Sequence, residues 1–374
     1  MDGGNEIKKN KDYIIEITGQ THGGMGVGKL LEVIVESPDR KVPVCPVYKR
    51  CGGCQLQHIS YEGQLSFKKQ VVKDALERIG GLKDVIIRDT IGMKNPWHYR
   101  NKAQLPVGTE KEEVQIGFYV KRSHEIINFD DCMLQDKENP TVFKIIRQFI
   151  DDFKISIYDE STGTGLIRHI ILKKGFRTRE VMAGIVINGD GMPHSVELVE
   201  ALRKNIPGIK TIVLNINKKK TNTIKGLKNK IIYGNGFIYD YIGDLKFRIS
   251  LLSFFQVNPV QTEILYSKVM EYAGLTGEET VIDAYCGIGT ISLFLAEKAK
   301  KVYGVEIVKQ AIIDARENAR LNEIENAEFI LGEAEIEIPK LYAEGVRADV
   351  IVVDPPRKGC DGKLLETIAE IAPR

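Results

Sequence analysis

Val281-Ile-Asp-Ala-Tyr-Cys-Gly-Ile-Gly-Thr290 is the stretch that decides the fold. Its apolar start reads as a buried strand. Gly287 and Gly289 then let the backbone turn tightly beside a ligand before a helix opens at Thr290. The surrounding sequence predicts helices over 260–274, 290–298, 309–322 and 363–371, and strands over 280–284, 301–305, 327–331 and 349–353. Regular β–α alternation means parallel strands with crossover helices, a doubly wound α/β sheet. Ligands of such sheets bind at the carboxyl ends of the strands. The second strand ends at Glu306, whose carboxylate can accept both hydroxyls of a ribose. The third ends near Glu333, placed to meet an adenine edge, and the fourth in Asp354-Pro-Pro-Arg357. The spacing departs from the Gly-x-Gly-x-x-Gly fingerprint of pyrophosphate binding. An acid, Asp283, sits at the loop's start and suits a cationic amino group rather than a phosphate.

A chain of 374 residues has room for two or three domains. With 43% apolar and 28% charged residues it is globular, and a net charge of +2 gives no global basic field. One local run differs: Lys218, Lys219, Lys220, Lys225, Lys228 and Lys230 meet no acid between them. Such a run is either a solvated loop or an RNA contact. No apolar stretch is long enough to span a membrane, and the polar N-terminus lacks a signal-peptide core, so a cytoplasmic protein is expected.

In a reducing compartment six cysteines are not expected to form disulfides. Cys45, Cys51 and Cys54 lie within ten residues and can converge on one metal centre, with Cys132 as a possible fourth ligand from another loop. Thiolates select zinc or iron–sulfur clusters over hard cations. Taken alone, Cys132 reads as a buried thiol.

Between these two signals, residues 97–255 alternate strand-like segments (114–120, 167–173, 181–188, 211–217, 245–252) with helical ones (141–153, 195–205), an α+β domain with an antiparallel sheet. Before the cysteines, residues 12–37 read as strand, Gly-rich turn, strand, and a helical pattern covers 64–80.

The glycine loop, Glu306 and Asp354-Pro-Pro together resemble class I S-adenosylmethionine (SAM) methyltransferases. Further motifs narrow the likeness: Cys51-Gly-Gly-Cys-Gln-Leu-Gln-His58, Pro96-Trp-His-Tyr-Arg-Asn-Lys102, Ser253-Phe-Phe-Gln-Val-Asn258 and Asp354-Pro-Pro-Arg-Lys-Gly359. With them nearly the whole chain resembles the iron–sulfur RNA uracil-C5 methyltransferases, which make 5-methyluridine, mostly in 23S ribosomal RNA. The resemblance implies a shortened OB-like segment over 1–44, a central α+β iron–sulfur domain over 45–255 and a SAM-dependent methyltransferase domain over 256–374, incomplete at its C-terminus. It implies a [4Fe–4S] cluster on Cys45, Cys51, Cys54 and Cys132, and SAM contacts from Gln256, Tyr285, Glu306, Glu333 and Asp354. Phe254 would pack near the target base, with Asn258 shaping its pocket.

The chemistry implied is covalent. A thiolate adds to C6 of uracil and makes C5 nucleophilic, and a base later removes the C5 proton before the thiol leaves. The target base must first leave any stack. The family's nucleophile lies in a Ser-Cys-Asn-Pro run and its glutamate base further on; both fall after Arg374, so the chain as it stands is expected to be inactive. Cys360, within six residues of the Asp-Pro-Pro-Arg loop, is a weak substitute, and Cys286 reads as a small buried residue. Competing readings are a transfer RNA uracil-C5 enzyme, a non-catalytic iron–sulfur RNA-binding protein, and a zinc-bearing protein methyltransferase. The Phe-Gln-x-Asn and Cys-Gly-Gly-Cys runs argue against the last.

Overall fold

The computed structural model describes residues 34–129 and 131–374. The expected strand, turn and strand of 12–37 therefore lie almost wholly outside the described residues. The chain divides after Gly92 into two compact units.

In the first unit, α1 (Tyr61–Asp74) starts earlier than the periodicity predicts. The reason is its cap: Ser60 Oγ accepts from Gly63 N at 3.0 Å and donates to Asp39 Oδ1 at 2.6 Å. The helix widens into a π turn over Ala75–Ile79, which ends at Gly80. Turns carry the cysteine run before it, and an antiparallel bridge joins Arg40 to Ile59.

The second unit begins with β1 (Lys102–Glu110), β2 (Glu113–Tyr119), β3 (Ile126–Asn128), α2 (Asn139–Asp152), β4 (Ile167–Lys174), β5 (Val181–Ile187), α3 (Ser195–Asn205), β6 (Ile209–Ile216) and β7 (Lys228–Tyr233). These strands form one seven-stranded sheet, ordered β3-β2-β1-β4-β5-β6-β7. The expected antiparallel sheet needs one correction: β5 and β6 run parallel, because α3 returns the chain to the same end before β6 starts. Every residue of β4 and β5 is buried, so both faces of the sheet are covered. One face packs on α2 and α3 through Phe143, Ile146, Leu198 and Leu202.

The hairpin β8 (Phe237–Ile242) and β9 (Leu245–Ser250) leads to α4 (Pro259–Ala273). Then follow β10 (Thr280–Ala284), α5 (Thr290–Ala296), β11 (Lys301–Glu306), α6 (Lys309–Leu321), β12 (Ala327–Leu331), α7 (Ala334–Ala343), β13 (Val350–Val353) and α8 (Gly362–Ile371). Their four strands are parallel and ordered β12-β11-β10-β13, a Rossmann-like sheet. Alternation along β10 sorts its two faces. Ile282 and Ala284 pack with α7 and α8, and Val281 with α4 and α5. Among the described residues no helix is long and apolar enough to cross a membrane.

Candidate active site

The site is built at the carboxyl ends of β10, β11, β12 and β13. The turn after β10 needs backbone that most residues avoid: Tyr285, Gly287 and Gly289 have φ of 88°, 57° and 81°. Tyr285 N and Cys286 N both donate to Val305 O at 2.9 Å, which pins the turn to β11. A side chain at Gly289 would bring its Cβ within 2.9 Å of the Phe329 ring, whereas one at Gly287 would meet open space. Gly287 thus leaves the backbone bare where a ligand would lie.

Carboxylates surround this turn. Asp283 is fully buried, and its Oδ2 accepts from Ser292 Oγ at 2.6 Å while Oδ1 has no hydrogen-bond partner. Burial, reinforced by Asp354 and Glu306, pushes its carboxyl up to about 6 against the opposing bond from Ser292. Glu306 accepts from Gly287 N through Oε2 (3.1 Å) and from Val308 N through Oε1 (2.8 Å). Each oxygen keeps further acceptor capacity for a ribose hydroxyl. Glu333 is exposed at the start of α7, where its carbonyl accepts from Ile336 N. Asp354 is exposed just past β13 and accepts from Gln256 Nε2 at 3.4 Å. Asp283, Glu306 and Asp354, which act on one another, and a bare glycine turn make a concentrated negative site that suits a cationic, ribose-bearing cofactor and repels a phosphate. The residues therefore fit SAM.

The Phe-Gln-x-Asn segment separates two neighbours the sequence leaves alike. Phe255 is buried against Phe247, with ring centroids 6.1 Å apart, while Phe254 is 67% exposed. Asn258 caps α4: its Oδ1 accepts from Gln261 N at 3.2 Å, and its Nδ2 donates to Met93 Sδ at 3.1 Å. Cys286 is buried beside Asp283 and Glu306, which drives its thiol far above the usual range and makes a thiolate there unavailable.

The sequence did not reveal what holds this segment. Lys173 Nζ donates to Ser250 O and Ser253 O, both at 2.7 Å, and Lys225 Nζ to Leu252 O at 3.3 Å. Asn101 donates through Nδ2 to Gln256 O (2.9 Å) and through its backbone N to Val257 O (3.1 Å). From the other side Asp314 Oδ2 accepts from Ser250 Oγ (3.1 Å) and Ser253 Oγ (3.0 Å). One signal was available: Lys173 directly follows the apolar run Ile170-Ile-Leu172 of a strand buried throughout.

None of the six cysteines is in a disulfide. Cys45, Cys51 and Cys54 lie in the first unit, where Gly53 N donates to Cys51 Sγ at 3.3 Å, and Cys132 in the second. Among the described residues no group of three or more His, Cys, Asp and Glu side chains is arranged to hold a metal ion.

Comparison with known proteins accords with this geometry. The family described as "Methyltransferase domain" matches residues 275–371. The chain is similar to a Clostridium tetani protein named an uncharacterized RNA methyltransferase, 51% identical, over 99% of this chain and 77% of that one. A like-named protein of Halalkalibacterium halodurans is 53% identical, over 94% and 76%. Among solved structures it is similar to the Pyrococcus abyssi tRNA (uracil-54, C5)-methyltransferase in complex with S-adenosyl-L-homocysteine, with a TM-score of 0.69, 26% identity, and 91% and 76% of the two chains covered. The site geometry and these relatives together make the protein an enzyme of the methyltransferase class, and the chain belongs to the RNA methyltransferase family.

Proposed function

We propose that this cytoplasmic enzyme methylates C5 of a uracil in RNA, with 23S ribosomal RNA as its target. The observation that carries the reading is the Gln256–Asp354 hydrogen bond, which joins the segment bearing the exposed Phe254 to the end of β13. A flipped base stacked on Phe254 would thereby meet the cofactor turn. When bound, SAM supplies an electrophilic methyl group; the chain's own residues orient and enclose. Gln256, Tyr285, Glu306, Glu333 and Asp354 would hold the cofactor, while Phe254 and Asn258 would shape the base pocket. A thiolate adduct at C6 is the route that activates C5, and its thiol is not Cys286, whose burial keeps it protonated.

The motif resemblance supports ribosomal RNA. The likeness to the Pyrococcus abyssi tRNA enzyme supports transfer RNA as the second reading. Incubation with SAM and unmodified transcripts of each RNA, followed by nucleoside mass spectrometry, separates the two. In a protein that carries the nucleophile and base the resemblance implies, the expected product is 5-methyluridine in the ribosomal transcript. Methyl groups on ribose or on a ring nitrogen would remove the uracil-C5 reading. RNA containing 5-fluorouridine should remain attached to the protein under denaturing conditions if the adduct forms.

Cys45, Cys51, Cys54 and Cys132 are proposed to hold a [4Fe–4S] cluster. Their soft donor set and the backbone N–H bond to Cys51 Sγ support it. Iron and acid-labile sulfide in protein purified without oxygen are expected; zinc in their place would exclude the cluster.

A further inference from the structure

Residues 217–226 join β6 to β7 and carry Lys218, Lys219, Lys220 and Lys225. A merely solvated lysine loop needs no fixed conformation, but this one is fixed from beneath. Arg168 is only 5% exposed. Its Nη1 donates to Asn217 O and Lys219 O, both at 2.8 Å, and its Nη2 to Thr221 O at 3.4 Å. The guanidinium also lies 4.3 Å from the centre of the Tyr158 ring. Asn217 Nδ2 donates to Thr223 O (2.6 Å) and Ile224 O (3.0 Å). Asn215 closes the loop's far end, donating to Gly226 O at 2.9 Å and accepting from Gly226 N at 2.7 Å. A buried guanidinium is costly unless hydrogen-bonded, and here both terminal nitrogens donate to loop carbonyls while Nε has no partner.

The charge this loop presents is nearly uncompensated. Lys218 pairs with Asp190 at 2.5 Å, but Asp190 is itself exposed, so the pair is weak. Among the described residues Lys219, Lys220 and Lys230 form no ion pair with a carboxylate; Lys220 Nζ donates only to Thr162 O at 3.3 Å, and Lys228 acts at longer range on the same exposed Asp190. Lys228 and Lys230 extend the cationic strip along the exposed strand β7. At the other end Lys225 turns inward to Leu252 O, two residues before Phe254. The strip therefore begins at the segment that carries the candidate base platform.

We propose that the loop of Lys218, Lys219 and Lys220 binds the sugar–phosphate backbone of the RNA strand flanking the base presented to Phe254. This rests on the RNA uracil-C5 reading and adds to it the surface that grips the strand. A loop already held in place loses little conformational entropy on binding. Each phosphate neutralised releases counterions, at a salt slope of about 0.7 per phosphate on a single strand.

The test measures equilibrium binding of a uridine-bearing RNA hairpin over a salt series. It compares the unmodified protein, a Lys218→Ser/Lys219→Ser/Lys220→Ser variant, and a control in which exposed Lys144, Lys154 and Lys204 become Ser. The loop variant is expected to lose about 2 from the log–log salt slope and at least tenfold in affinity at low salt, with binding of S-adenosylhomocysteine unchanged. The control should keep the parent slope. An unaltered slope and affinity in the loop variant, or an equal loss in the control, would overturn the proposal while leaving the uracil reading intact. Absence of salt-sensitive RNA binding by the unmodified protein would overturn both.

Discussion

Asp283 shows how one residue trades stability for a binding site. Its folded-state carboxyl titrates at about 6, against an ordinary value of 3.8, chiefly because it is buried. The native state therefore holds this proton more tightly than the unfolded chain does. Below about 4 both states are protonated and the residue is neutral to stability. As pH rises from about 4 to about 6 the unfolded chain ionises first, and stability falls by up to about 3 kcal/mol. Asp283→Asn should remove that loss, so the variant should be more stable than the parent at neutral pH. It should also bind SAM more weakly, since a negative charge buried beneath the cofactor turn is gone. Urea unfolding of both proteins across this pH range checks the first point, and parallel pH profiles would contradict it. Asp283 was legible in the sequence because an acid before two glycines is a local pattern. Its partner Ser292 was not, since that contact exists only once α5 has folded back. Nor could the sequence separate Phe254 from Phe255, because the segment has no strand or helix period to assign a face.

Among the elements, the segment between β9 and α4 is held by side chains rather than by a ladder. Lys173 supplies two of its bonds from β4, and burial, with repulsion from Lys225 and Lys102, lowers its ammonium well below the ordinary lysine value. Lys173→Met would fit the strand but leave two carbonyls without their donor and remove an ammonium that interacts with Asp314. A loss of roughly 3 kcal/mol is expected. Cofactor binding should weaken further than the stability loss explains, because Gln256 is displaced with the segment. Titration with S-adenosylhomocysteine under conditions where the variant is fully folded tests this; parent-like affinity would limit Lys173 to folding. Sequence periodicity recovered the strongly apolar strands β4, β5 and β10 but left β1, β8 and α7 unread. In β1, Pro106 falls where the strand exchanges β4 for β2 as its partner, so a residue that cannot donate sits at a break in the ladder. Pro339 lies inside α7 and disguises it. Such features become intelligible only when the neighbouring strand or helix is known.

Across the second unit, the central sheet and the Rossmann-like sheet share one core. Ile171, Met182 and Val213 from the seven-stranded sheet pack in the same cluster as Phe247 and Ile249 of β9 and Leu293, Ile312 and Ala315 of α5 and α6. Polar groups follow the same seam. Asn318 on α6 accepts from Arg248 N at 2.8 Å and donates to Ile288 O at 3.1 Å. Asn322 accepts from Lys246 N and donates to Lys246 O, both at 2.8 Å, so α6 serves β9 as a substitute strand. A seam that is both apolar and hydrogen-bonded leaves no weak plane along which the two sheets could part. Residues 93–374 should therefore open as one cooperative body despite holding two sheets. Phe247→Ala removes a fully buried ring from the middle of the seam and should cost about 3–5 kcal/mol. In native-state hydrogen exchange the slowest amides of β4 and β5 should lose that amount together with those of β10 and β11. If only one of the two sheets loses protection, the seam is an interface between separately folding bodies, and the grip of the central sheet on the Phe254 segment would be a docking contact rather than part of a single core.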